Sequence, residues 1–204
     1  MQLFVVRTME LRELRDIVIS AVALAFIFVY QGADQITLSL ALLPVGLLTV
    51  STSFVLHELG HRALARKYKF HAEYKMWPQG LILALVLALA TNGAFIFAAP
   101  GAVMIMPRAD LWGRVQHMSR KAYGIISAAG PLINIALSAA FFIAAYVFSS
   151  TTLMFGASIN AWLALFNLLP LGPLDGTKVL VWNKFIWLAI MAGAVAMFAV
   201  IQII

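Results

Sequence analysis

Cysteine is absent from the 204 residues, which excludes disulfides, cysteine–zinc and iron–sulfur sites, and a thiol nucleophile. Any metal must rest on histidine, aspartate or glutamate, and the chain offers 4 histidines and 8 acids. Charge is scarce as well. Only 11% of residues are charged and 63% are hydrophobic, against about 25% and 45–50% in an ordinary soluble domain. A soluble globule of 22.3 kDa cannot bury so much apolar surface, and the mean hydropathy of +0.96 makes lipid the solvent for most of the chain. The 14 Lys and Arg give a formal charge of +6, but they sit beside apolar runs, as membrane topology requires. Their partner is then the lipid bilayer and its anionic headgroups, and no nucleic acid is expected.

What the chain has in abundance is long uncharged runs, at 17–33, 35–56, 76–107, 122–174 and 185–204. About 20 apolar residues cross a bilayer as helix, so the fourth run holds two spans, separated at Ser149-Ser150-Thr151-Thr152. The reading is an all-α polytopic membrane protein with about five transmembrane helices, near 17–33, 36–61, 124–148, 153–171 and 185–204. It forms a single domain over 1–204, with a core at 36–180 and peripheral first and last spans. Arg7, Arg12 and Arg15 are interleaved with acids, and no small-residue cleavage site follows the first apolar run, so the N-terminus reads as mature sequence.

Basic clusters at Arg7/Arg12/Arg15, Arg62/Arg66/Lys67/Lys69/Lys75, Arg108/Arg114/Arg120/Lys121 and Lys178/Lys184 belong on the cytoplasmic side. The expected protein is a multi-pass cell-membrane protein with its N-terminus inside and its C-terminus outside. Residues 76–107 are flanked by two such clusters and are too short for two comfortable helical spans. They read as a re-entrant hairpin from the cytoplasmic side, turning at Thr91-Asn92-Gly93. The part after the turn, 94–103, has the aromatic and glycine content of a strand. Phe95 and Phe97 are therefore expected on an edge that holds substrate extended.

The chemistry concentrates at His57-Glu58-Leu59-Gly60-His61, an H-E-x-x-H pattern closing the second span. Positions i and i+4 share a helix face, so both imidazoles reach one metal, while Glu58 stands beside them as a proton acceptor. With so few His and Glu the pattern arises by chance in roughly one chain in several hundred, and ionisable residues ending an uncharged span are costly in lipid. Two histidines leave a catalytic zinc one protein ligand short. Asp175 ends the longest uncharged stretch, and Gln35 to His57 and Thr152 to Asp175 are separations of 22 and 23 residues. Each is about 33–35 Å of helix, so parallel spans deliver the His pair and the Asp to one level near the cytoplasmic face. Pro170 and Pro173 break the helix just before Asp175.

These residues resemble the site-2 protease family of intramembrane zinc metalloproteases: HELGH at 57–61, AAGPLIN at 128–134 and NLLPLGPLDG at 167–176, in that order on successive spans. The resemblance implies one Zn2+ per chain held by His57, His61 and Asp175, with Glu58 as the catalytic base. Asn167 would hold the substrate backbone or the developing oxyanion. Asn134 matches a family asparagine and is grouped with it as substrate-binding, and FAAPGAV at 97–103 is similar to the family's re-entrant strand region. The implied partner is a transmembrane protein or peptide, cut within or beside its membrane segment.

Two readings share the architecture. One is a zinc hydrolase of a lipid or small amphiphile. The other is a non-catalytic metal-binding or metal-transport protein, which calls for polar residues along a pathway through the outer leaflet that this chain lacks. His71 and His117 lie among basic residues in connections and read as solvated. Trp77, Trp112, Trp182 and Trp187 fall near membrane interfaces as an aromatic belt.

Overall fold

The structure, a computed structural model, describes residues 10–106 and 117–203. Arg7, Arg108, Arg114 and Trp112, assigned above to cytoplasmic clusters and the aromatic belt, lie outside the described residues. In chain order the elements are α1 (Leu11–Val29), α2 (Ile36–Lys67), β1 (His71–Met76), α3 (Pro78–Ala90), β2 (Gly101–Met106), α4 (Arg120–Phe148), α5 (Thr151–Leu168), α6 (Asp175–Trp182) and α7 (Lys184–Ile203), with one 3-10 turn, Ala33–Gln35, before α2. The described chain is mostly helical, and four helical segments are long and apolar enough to cross a membrane: Ala33–Lys67, Arg120–Phe148, Thr151–Leu168 and Lys184–Ile203. The expected first span at 17–33 overlaps α1, which starts earlier, ends at Val29 and is not among those four segments. Its first turns carry Arg12, Glu13, Arg15 and Asp16.

Local chemistry sets the helix ends. In α2 the hydroxyls of Ser39, Thr49, Thr52 and Ser53 donate to carbonyls one turn back, Gln35, Val45, Leu48 and Thr49, which satisfies each O–H without water. At the α4–α5 junction Ser149 takes the left-handed conformation (φ 48°) that stops α4, and the Ser150 hydroxyl accepts from Leu153 N–H to start α5. One serine ends a helix and the next begins one, so the two pack antiparallel. Pro170 ends α5 by forcing Leu169 into extended backbone. Asn183 Oδ1 accepts from Phe185 and Ile186 N–H and so caps α7.

The segment expected as a re-entrant hairpin leaves and returns at one place. Trp77 N–H donates to Pro100 O (2.7 Å), and between them α3 runs out to the Asn92-Gly93 turn, both residues at positive φ. The turn abuts the α1–α2 connection: a Cβ at Gly93 would collide with Tyr30 O, and one at Gly32 would lie 3.2 Å from Asn92 Cβ. The return, 94–100, has no regular structure. The strand expected over 94–103 is therefore displaced to Gly101–Met106, because Pro100 has no N–H to donate and because the partner that creates the ladder, β1, ends opposite Gly101. β1 itself lies in what read as a purely solvated connection. Its sequence HAEYKM buries alternate residues, Ala72 and Tyr74.

β1 and β2 form a two-stranded antiparallel sheet in which Tyr74 faces Val103. The far edge of β1 is closed by acids of α1. Glu13 Oε1 accepts from Tyr74 N–H (3.1 Å), and Asp16 Oδ2 accepts from Met76 N–H (3.4 Å). Glu13 also pairs with Arg62 Nη1 of α2 at 2.9 Å, both side chains being buried. Burial and the charge of Glu58 push the Tyr74 phenol well above the usual tyrosine range, and its O–H donates to Ser20 Oγ.

Removing one member of a buried ion pair leaves the other charged and unsolvated, which costs about 3–5 kcal/mol. Glu13→Ala is expected to lower the thermal unfolding midpoint in detergent accordingly, and Glu13→Leu combined with Arg62→Met to recover only part of the loss, because the Tyr74 N–H stays without its acceptor. An unchanged midpoint in Glu13→Ala would show that Glu13 does not hold α1 to α2 and the sheet.

Candidate metal centre

The i, i+4 spacing puts His57 and His61 on the face of α2 that meets α4, and each ring is oriented by its other nitrogen. His61 Nδ1–H donates to Ile126 O (2.8 Å), and His57 Nδ1–H to Asn134 Oδ1 (2.5 Å). With the rings neutral, both Nε2 atoms carry lone pairs, and they face each other at 3.1 Å. Asp175 Oδ2 completes the group, 2.9 Å from His61 Nε2 and 3.3 Å from His57 Nε2. Burial disfavours the charged form of Asp175, but His61, His57 and Lys178 outweigh it and hold the carboxyl well below the usual carboxylate range. Its other oxygen accepts from Lys178 Nζ at 3.2 Å.

Three negative or lone-pair atoms within 4.8 Å of one another, all buried, repel unless a cation sits among them. The backbone leaves room for one. A Cβ at Gly130 of α4 would stand 2.5 Å from Nε2 of both histidines, so only glycine lets α4 approach here without filling the site. A Cβ at Gly176 would likewise collide with Leu168 O, so the glycine after Asp175 lets α6 start against the end of α5. Two His and one Asp at this spacing suit a tetrahedral zinc that keeps one position open.

Glu58 is buried beside the group. The Val103 N–H of β2 points at its carboxylate, and Oε2 has no hydrogen-bond partner among the described residues. Its carboxylate opens, with Asp175, into a cavity of about 960 Å³ walled by β2, Trp77, Tyr123, Leu163 and Asn167. The structure thus brings His57, Glu58, His61 and Asp175 together and sets Asn167 on the same cavity, its amide donating to Leu163 O.

The other predicted residues are placed elsewhere. Asn134 is fully buried behind His57 and does not line the cavity. Phe97 packs edge-on against Phe166, and Phe95 is half-exposed; neither ring lines the cavity, whose strand wall is Gly101–Ile105. Sequence reasoning reached only the start of that wall, Gly101–Val103, within its expected strand at 94–103; nothing in the rest of GAVMIM marks it until β1 is known. It also passed over Ser53 and Asn160, two further polar residues inside apolar runs. His71, on β1, is half-buried 3.9 Å from Glu73, and His117 is exposed at the cavity mouth.

The model of peptidase family M50 matches residues 45–154. The chain belongs to this family. Within the M50 family, it is 41% identical over 181 residues to "Putative zinc metalloprotease MJ0611" of Methanocaldococcus jannaschii, covering 86% of this chain and 87% of the relative. It is 30% identical over 155 residues to "Putative zinc metalloprotease YwhC" of Bacillus subtilis, covering 69% of each. No solved structure gives a significant match. An M50 chain with this cluster is a zinc metalloprotease, and His57, His61 and Asp175 are the group that can hold its zinc.

About one zinc per chain is expected by elemental analysis, and none in His57→Ala, His61→Ala or Asp175→Ala. Gly130→Val should also lose zinc although no ligand is changed. Full occupancy in Asp175→Ala would move the third ligand elsewhere.

Proposed function

We propose that the chain is an intramembrane endopeptidase that cuts a peptide bond within or beside a transmembrane segment of another membrane protein. The observation that supports this reading most is the placement of Glu58, whose unpartnered carboxylate oxygen is buried beside the His57–His61–Asp175 group and opens onto a strand-walled cavity. When bound, zinc supplies Lewis acidity that polarises the scissile carbonyl and eases loss of a proton from water. Glu58 accepts that proton and returns it to the leaving amine. Asn167 lies across the cavity, in reach of a substrate backbone held there.

A peptide bond inside a helix is covered by its own hydrogen bonds, so the substrate must be extended before water reaches it. β2 supplies the template. The Tyr74–Val103 pair points its backbone groups away from the ladder, as the Tyr74 N–H bond to Glu13 requires. Val103, and with it Gly101 and Ile105, therefore presents backbone donors and acceptors toward Glu58, where an added strand would lie. The substrate-holding edge is accordingly assigned to 101–105 instead of Phe95 and Phe97.

Around this site we read five membrane helices, α1 included, with 76–107 as a re-entrant hairpin entering from the cytoplasmic side. Its two ends meet at Trp77 and Pro100, which supports an even number of crossings. The active site lies near the cytoplasmic face, the N-terminus inside and the C-terminus outside.

Glu58→Gln keeps the shape but cannot take the proton. It should retain zinc and lose about 10²–10⁴-fold in turnover of transmembrane reporter peptides. Retained cleavage would refute the assigned base, and cleavage of soluble peptides alone would refute the substrate class. Because the chain has no cysteine, single introduced cysteines report topology directly. Labelling from the cytoplasmic side is expected at 62–75 and 176–184, and from outside at 31–35 and 149–152; the opposite pattern overturns the orientation.

A further inference from the structure

Behind His57 runs a chain of buried polar groups that ties three membrane helices together. Asn134 (α4) donates from Nδ2 to Ser53 O (3.3 Å) and to Asn160 Oδ1 (2.9 Å), while its own Oδ1 accepts from His57. Asn160 (α5) donates from Nδ2 to Ser53 Oγ (2.7 Å) and to Gly156 O (2.8 Å). The Ser53 hydroxyl proton is committed to Thr49 O (2.7 Å). Ser53, Asn134 and Asn160 are all 0% exposed, so water cannot substitute for any partner.

The polarity of this chain is fixed at its far end. Backbone carbonyls only accept, so Gly156 O requires the NH2 end of Asn160 to face it. Ser53 Oγ, its own proton spent on Thr49 O, can only accept from the same NH2 group. Asn160 Oδ1 is thereby turned toward Asn134, which must answer with its NH2 end, as Ser53 O also demands. Asn134 Oδ1 is then the one group left to face His57. Of the two neutral tautomers of His57, an acceptor there admits only the one with its proton on Nδ1, which leaves the Nε2 lone pair pointing at His61 and Asp175. A flip of either amide would set oxygen against oxygen in a dry site.

We propose that Asn160, held by Ser53 and the Gly156 carbonyl, is a positioning residue of the metal centre: acting through Asn134, it selects the tautomer in which His57 can ligate. The proposal rests on the zinc reading above. It assigns to Asn134 the orientation of His57 instead of contact with substrate, and it explains why two amides lie in the middle of apolar helices. His61 needs no such relay, because its Nδ1–H meets a backbone carbonyl that cannot flip.

The test is zinc affinity of the full chain in detergent, measured by chelator competition, together with the 15N shifts of His57 in the zinc-free protein, which distinguish the tautomers. Asn160→Leu leaves every proposed ligand in place and should weaken zinc binding several-fold, less than the roughly 10–100-fold usual for removing the group bonded directly to a ligating histidine, here Asn134. It should also bring in the tautomer protonated on Nε2. In an Asn134→Leu background the same change should add less than about twofold, since the relay is already cut. Should Asn160→Leu not fold, Asn160→Ala, which removes the amide without adding bulk, decides the question: the same direction of affinity loss with a mixed tautomer is expected. Wild-type affinity and an unchanged His57 tautomer in either variant, or full additivity with Asn134→Leu, would overturn the relay. His57→Ala separates the two levels of argument, because retained zinc there would refute the metal site itself, whereas lost zinc with an unaffected Asn160→Leu would refute the relay alone.

Discussion

Two imidazole nitrogens 3.1 Å apart, both with lone pairs exposed, and a carboxylate oxygen about as close to each make an arrangement that repels itself in a dry environment. The groups around it hold it in the form that receives a cation: each Nδ1 proton is already bound, by Ile126 O on one ring and Asn134 Oδ1 on the other. Much of the surrounding architecture serves to keep this cluster assembled. α4 can come close enough to carry both acceptors only because Gly130 has no side chain, and Asp175 reaches the group only because Pro170 ends α5 and Gly176 lets α6 begin against that end.

The same constraint explains the sheet. In the proposed reading Glu58 needs substrate presented to it, and β2 runs past Glu58 with its outer edge paired to no other strand among the described residues. That edge is free because β1 is not. β1 spends its inner edge on β2 and its outer edge on Glu13 and Asp16, so α1, β1 and β2 form a layered stack whose last face is turned to the cavity. The Glu13–Arg62 pair joins the stack to α2 one residue past His61, which sets the sheet and the metal ligands at a common level.

The long irregular excursion between Trp77 and Pro100 follows from how the sheet is closed. A two-stranded antiparallel pair would ordinarily be joined by a short turn. Here the connection contains α3, which packs on α1 and reaches the far end of that helix before the chain comes back. Ala84, Ala88 and Ala98 are buried in this layer with Leu24, and Phe97 joins through Phe166 to the ring of Trp162. Of the two aromatic residues that read as a substrate edge, Phe97 thus packs against α5 while Phe95 stays half-exposed, and the strand begins only past the proline that cannot donate to a ladder.

What the sequence determined by itself is whatever depends on spacing along one helix or on overall composition. Hydropathy alone places the long spans to within a few residues, and the H-E-x-x-H spacing fixes two imidazoles and a carboxylate on adjoining faces of α2 because 3.6 residues make a turn. Counting along two equal helices anticipates the level of Asp175, but α5 ends at Leu168, and it is the non-helical stretch 169–174 that carries the chain the rest of the way to the His pair. Tertiary structure decided the choices among chemically equal candidates. Asn134, Asn160 and Asn167 are three amides in apolar surroundings, and nothing in their local sequence says that the first orients His57 across 77 residues, the second orients the first, and only the third borders the cavity. The relative rotation of α2, α4 and α5 settles that. It settled the strands too, because HAEYKM and GAVMIM are too short and too mixed to pair by pattern, and they become a sheet only where α1 brings two carboxylates to an edge that would otherwise be left unbonded.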